Sequence, residues 1–262
     1  MKKKDNSSIN MKEEIKNYAE EIGVDDIGFA SIESYKSPNT PPVKEIFPKA
    51  KTIVVLAFEQ LDNCESENIQ IASMGNLAIS DFAHSSTYKI ARFIKKESGS
   101  KVMNVIRGPV NMDKKTRRPF ADVSLRHAAV AAGLGSFGKH NLVIHPEIGT
   151  KVIFTAIITD LDISPDTPLE EELCLDCDIC VKLCPVNALS QENKTDVAKC
   201  SLKSQPYGLS GNIQFWMKFA QSNPEDQKMM LLDEKFVKLC QSLSLGSYYV
   251  CSNCIKSCPV GS

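Results

Sequence analysis

The chain predicts an α+β fold class, with an α/β domain over residues 1–165 followed by a helical, cysteine-rich module over residues 166–262. Three observations lead there. Apolar runs of strand character, above all Thr52-Ile-Val-Val-Leu-Ala-Phe58, alternate with segments of helical periodicity in the first part. An acidic, proline-containing stretch from Asp160 to Glu172 breaks that pattern. Nine of the ten cysteines lie beyond it, seven of them in two closely spaced runs.

In chain order, Ser7 and Ser8 are candidate caps for a first helix with Ile9, Met11, Ile15 and Tyr18 on its apolar face and Gly23 as its stop. Val24 to Ala30 reads as a short strand, Ser37 to Pro42 as a loop, and Thr52 to Phe58 as a central strand. The stretch from Ile71 to Lys96 favours helices, the last opening at Tyr88. Lys101 to Ile106 reads as a strand, Gly108 to Phe120 as a polar loop, and Ser124 to Ala132 as an Ala-rich helix. Two more strands are expected at Leu142 to Ile144 and Val152 to Thr159, joined by His145 to Gly149. Phe215, Trp216 and Phe219 have helical spacing and read as core of the second module.

Gly133-Leu-Gly135-Ser-Phe-Gly138 matches G-x-G-x-x-G, but it follows a helix and precedes a strand. A dinucleotide fingerprint needs the reverse order, so that function is not supported. The glycines instead let the backbone turn sharply and approach something closely, either another chain segment or a large flat cofactor.

The cysteines carry the most specific signal. Cys174-x-x-Cys177-x-x-Cys180-x-x-x-Cys184-Pro185 is the two-cluster ferredoxin pattern, in which three thiolates hold one 4Fe–4S cube and the fourth reaches a second. Cys251-x-x-Cys254-x-x-x-Cys258-Pro259 and the isolated Cys200 supply the remainder. The expected sets are Cys174, Cys177, Cys180 and Cys258 on one cube, and Cys184, Cys200, Cys251 and Cys254 on the other. Cys240 is a rival to Cys200, whose preceding helix favours it. Structural zinc is the competing use of eight thiolates, and the Cys-Pro endings and the triple C-x-x-C-x-x-C oppose it. The polar N-terminus has no apolar signal core, so a cytoplasmic chain whose cysteines bind metal rather than pair is expected.

At a net charge of −1 no global basic field favours nucleic acid. The runs Lys2 to Lys4 and Lys114, Lys115, Arg117 and Arg118 read as solvated loop charge. No apolar stretch reaches membrane-spanning length.

The segment Ala128-Ala-Val-Ala-Ala-Gly-Leu-Gly-Ser-Phe-Gly-Lys-His-Asn141, with Thr155-Ala-Ile-Ile-Thr-Asp160 and the order of the cysteines, resembles the corrinoid iron–sulfur family of epoxyqueuosine reductase and the reductive dehalogenases. That resemblance, over about residues 45–262, implies a nitroreductase-like cofactor domain holding base-off cobalamin, with two 4Fe–4S clusters feeding electrons to it. It implies an oxidoreductase acting on an epoxide, a halide or a similar electrophile, such as a small molecule or modified nucleoside, with ferredoxin or flavodoxin as donor. Gly133, Gly135, Gly138, Lys139, His140 and Asn141 are the implied cofactor contacts, and Tyr88, Asp122 and His140 the candidate proton donors. The given sequence stops four residues after Cys258, without the helical-repeat extension by which epoxyqueuosine reductases hold tRNA, so tRNA is the less favoured substrate. An electron-transfer protein that reactivates a partner, such as a corrinoid protein, is the alternative.

Overall fold

The computed structural model describes residues 2–105, 111–112, 119–189, 195–246 and 251–260, with side chains from residue 11 onward except at 112 and 119. The basic run at residues 114–118 and the strand end at Ile106 lie outside the described residues, as do the side chains of Lys2 to Lys4, Ser7 and Ser8.

The first part runs α1 (Lys2–Glu21), β1 (Asp26–Ser31), α2 (Val43–Ile46), β2 (Thr52–Glu59), α3 (Ile69–Ser98), β3 (Val102–Val105), β4 (Asn111–Met112), β5 (Pro119–Phe120), α4 (Leu125–Ala131), β6 (Ser136–Phe137), β7 (Val143–Ile144) and β8 (Val152–Thr159). The second runs α5 (Ile179–Lys182), α6 (Val197–Ser204), α7 (Leu209–Gln221), α8 (Pro224–Leu232), α9 (Glu234–Leu245) and α10 (Asn253–Lys256).

A four-stranded antiparallel sheet of order β1-β2-β8-β3 forms the centre. Its two inner strands carry the long apolar runs because both of their faces are covered. Ile53, Val55 and Ala57 of β2 join Ala156 and Ile158 of β8 under α4. Val54, Leu56 and Phe58 join Ile157 under α1 and α3. The period of two thus feeds two separate cores, each fully buried large side chain stabilising the fold by about 1.5–3 kcal/mol.

Helix α4 approaches the sheet closely because its inner face is alanine: Ala128, Ala129, Ala131 and Ala132 are all buried. The strand opposite answers with Gly28, where a Cβ would lie 2.4 Å from the Ala132 carbonyl oxygen.

Two helix boundaries differ from the sequence expectation. Helix α1 begins at Lys2 rather than near Ser7, because no Gly or Pro interrupts residues 2–21. Tyr88 does not open a helix but lies well inside α3, which runs unbroken from its Asn68 cap to Gly99. The Asn68 side chain accepts from the Gln70 and Ile71 amides, and Gly99 takes the left-handed φ of 67° that closes the helix. In the second part, Phe215 is buried and stacks on Phe219 and Phe236, tying α7 to α9, whereas Trp216 stays 48 % exposed. No helix among the described residues is long and apolar enough to cross a membrane.

Candidate iron–sulfur site

The glycine loop is the hinge between α4 and a small hairpin. Gly133, at φ 76°, reverses the chain after α4, and β6 pairs with β7 to bring residues 138–142 round as a tight tip. Gly138 N–H donates to the Leu142 carbonyl at 2.8 Å, and Asn141 N–H to the Gly138 carbonyl at 2.8 Å, with Asn141 left-handed at φ 60°. Arg126 of α4 donates to the Asn141 carbonyl and fixes the tip against the helix. Two of the loop's close approaches are to its own chain. A Cβ at Gly133 would meet the Thr167 carbonyl oxygen at 2.6 Å, and one at Gly135 the Ile144 carbonyl oxygen at 2.2 Å.

Lys139 and His140 therefore stand at the tip, and the first cysteine run packs on them. Lys139 Nζ lies 2.5 Å from Asp176 and 2.6 Å from Asp178, the residues interleaved among Cys174, Cys177 and Cys180. Both aspartates are left-handed, at φ 52° and 58°. This double pairing, first with Asp176 and then with Asp178, holds the Lys139 ammonium well above its usual range. The Leu173 amide donates to Ser136 Oγ at 2.8 Å, a second stitch between the hairpin and the run. Upstream, Asp166 pins the connecting segment to the sheet, accepting from Lys12 at 2.6 Å and from the Phe29 amide at 2.9 Å.

A small cavity of about 20 Å³ is walled by Lys139, His140, Cys174, Cys177, Cys180 and Cys258. The electrostatic neighbours of the eight thiols fall into two groups. Cys180 is burdened by burial and then by Cys174, Cys177 and Cys258. Cys200 is burdened by burial and then by Cys251 and Cys184. Burial, followed by the charges of Cys200 and Cys251, pushes the Cys254 thiol up to about 12; a weaker influence of Cys180 joins the two groups. Cys184 is the exception. Burial pushes it up, but the amides of residues 186–189 turn toward its sulfur and bring it below the ordinary thiol value. One of those amides, on Ala188, stands 3.2 Å from Sγ. None of the eight is in a disulfide. Among the described residues, no three His, Cys, Asp or Glu side chains close on a single point as one metal ion would require. Cys240 is exposed on α9.

The remaining sequence candidates are dispersed. His140 is buried, burial lowers its pKa to about 4, and its Nε2 has no hydrogen-bond partner among the described residues. Tyr88 is 54 % exposed, with Arg92 packed over its ring. Asp122 is exposed and accepts from the Asn111 side chain at 2.8 Å. Neither lines the cavity. Asp176 and Asp178 were not singled out by sequence reasoning, and their only signal is an acidic residue recurring inside a cysteine run.

The thiols gather in two groups beside an antiparallel sheet, and residues 168–190 match the 4Fe-4S binding domain family, which supports an iron–sulfur cluster here. The particular likeness is to epoxyqueuosine reductases. The chain is 30% identical over 189 residues to the epoxyqueuosine reductase of Cyclobacterium marinum, covering 66% of this chain and 56% of that protein. It spans little more than half the length of the first curated relatives it matches. In fold it superposes on a crystal structure of an epoxyqueuosine reductase with a TM-score of 0.64 at 21% identity, over 97% of this chain and 66% of that one. A catabolic reductive dehalogenase gives 0.56 at 21% identity, over 72% of this chain and 28% of that one.

Proposed function

We propose that this chain is a corrinoid-dependent iron–sulfur oxidoreductase, with a nitroreductase-like cofactor domain over residues 1–165 and a module of two 4Fe–4S clusters over residues 166–262. The observation that carries the reading is the shared cavity, in which the tip of the glycine-loop hairpin and four cysteines of one expected cluster form common walls. An electron leaving that cluster toward the first domain meets Lys139 and His140 first.

The thiols fit two clusters. Cys174, Cys177, Cys180 and Cys258 line one cavity, and Cys184, Cys200, Cys251 and Cys254 are mutual neighbours, with amide donors already aimed at Cys184. A corrinoid fits more narrowly. Gly133 and Gly135 are closed against Thr167 and Ile144, so contact with its amide-bearing edge falls to residues 138–141, where Asn141 offers a polar side chain. When bound without its lower axial base, cobalamin supplies a strongly reducing cobalt centre able to cleave a carbon–oxygen or carbon–halogen bond. The chain's own residues bind and shield. Lys139 neutralises the aspartates of the cysteine run, and His140 presents a buried neutral imidazole at the domain junction. Tyr88 and Asp122 remain surface acids for a substrate arriving from outside. The substrate class is an epoxide, a halide or a similar electrophile, carried on a small molecule or a modified nucleoside, and the donor is a ferredoxin or flavodoxin.

A second reading, an electron-transfer protein that reduces a partner such as a corrinoid protein, draws on the exposure of Cys177, which lets an external acceptor approach the first cluster. Metal analysis and a visible spectrum of anaerobically purified protein incubated with cobalamin separate the two. About eight irons with one cobalt and a base-off spectrum support the reductase. The same iron without cobalt uptake refutes the corrinoid step and leaves the carrier.

A further inference from the structure

His140 is 5 % exposed, and its Nε2 is buried with no hydrogen-bond partner among the described residues. A buried polar atom left in that state is costly unless something absent from the protein chain completes it. The other ring nitrogen settles which form is present. The Leu142 amide points at Nδ1 at 3.1 Å. An amide N–H only donates, so Nδ1 holds the lone pair and the proton of the neutral ring sits on Nε2. The unpartnered atom is therefore a donor, and it needs an acceptor.

The ring's position is built in. A Cβ on Gly138 would lie 2.5 Å from His140 Cε1 and 2.9 Å from Nε2, so the imidazole edge occupies space that only glycine leaves open. The same histidine walls the cavity with Cys174, Cys177, Cys180 and Cys258. Lys139, the cation beside it, is matched by Asp176 and Asp178 and supplies no net positive charge.

We propose that His140 Nε2–H donates a hydrogen bond to a sulfur of the iron–sulfur cluster held by Cys174, Cys177, Cys180 and Cys258, and so raises that cluster's reduction potential. The proposal rests on the reading that these cysteines carry a 4Fe–4S cluster. Reduction adds a negative charge, and a donor aimed at sulfur stabilises the reduced form more than the oxidised one. The bond would thus favour an electron resting on the cluster that faces the glycine loop.

The experiment is an EPR-monitored redox titration of the anaerobic full-length protein beside His140→Phe, which keeps a ring but no donor, and His140→Gln, which restores an N–H. Pulsed EPR of the reduced wild type grown with ¹⁵N-histidine accompanies it. Iron analysis comes first: fewer than two clusters' worth of iron in the wild type overturns the cluster reading itself. With iron intact, His140→Phe is expected to make reduction of one cluster about tenfold less favourable, a fall of 59 mV for one electron, while the other cluster stays put and His140→Gln recovers the shift. A potential unchanged in His140→Phe, or a Gln variant that matches Phe, overturns the proposal. Should the Phe variant lose iron, the wild-type ¹⁵N coupling decides: a histidine nitrogen coupled to a reduced cluster supports the bond, and its absence refutes it.

Discussion

Cys200 and Cys240 are separated by their surroundings, and that separation can be counted in iron atoms. Cys200 sits half-buried on α6 with Cys184 and Cys251 as its sulfur neighbours. Cys240 is exposed on α9, whose buried positions are Leu239 and Ser242, so its thiol lies off the face that packs inward. A 4Fe–4S cube with one of four thiolates removed is labile, whereas loss of a surface thiol costs nothing to either cube. Two intact sets correspond to about eight irons per chain. Cys200→Ala removes one corner of the second set and is expected to leave about four irons and half the visible charge-transfer absorbance. Cys240→Ala is expected to retain all of it. Neither change opens a large void, so far-ultraviolet circular dichroism of both variants should match the parent. Colorimetric iron and sulfide determination on anaerobically reconstituted protein is the assay. If Cys240→Ala loses half the iron while Cys200→Ala keeps it, the grouping of thiols described above is wrong.

Removing the cation from the hairpin tip with Lys139→Met leaves Asp176 and Asp178 facing each other across the cysteine run. Iron should then be lost to a chelator several-fold faster, as followed by bleaching. Ile157→Ala, at a fully buried position on β8, should destabilise the protein by about 2–5 kcal/mol in anaerobic denaturant unfolding. The Asp26 carboxyl gives a pH-dependent effect. Burial pushes it up, but hydrogen bonds from His145 and the Ile27 amide outweigh that and hold it below its usual value. Because its folded-state pKa is depressed, its contribution is present above the unfolded value of about 3.9 and is lost as pH falls through the folded one. Asp26→Asn should therefore lower stability near neutrality and flatten the acid limb of the melting-temperature profile. An unchanged profile would count against a stabilising pair with His145.

Strand β8 was legible to the residue, Val152 to Thr159, because an unbroken run rich in β-branched residues is bounded by Gly149 on one side and Asp160 on the other. The cysteine spacing was equally open to reading, since ligand geometry is imposed by the cluster rather than by the fold. The continuity of α3 was hidden, because its N-terminal half exposes Ile71 and Met74 and blurs the apolar stripe. The engagement of Lys139 was also hidden. Its partners lie nearly forty residues away and acquire meaning only when the hairpin tip meets the cysteine run, a contact that local periodicity cannot encode. For the same reason Gly133 and Gly135 could be read as turn-makers but not as residues closed against Thr167 and Ile144.

The order of strands has a consequence during synthesis. Strand β8 lies between β2 and β3, although both precede it in the chain. The inner edge of β2 therefore waits from residue 59 to residue 159 before its partner exists. At translation rates of about 5–20 residues per second, that is roughly 5–20 s during which an apolar strand trails from the ribosome with one side unpaired. The nascent chain is thus most prone to wrong pairing before any cysteine of the second module has been made. A chaperone that shields β2 in that interval would raise the yield of folded protein without ever meeting the metal chemistry.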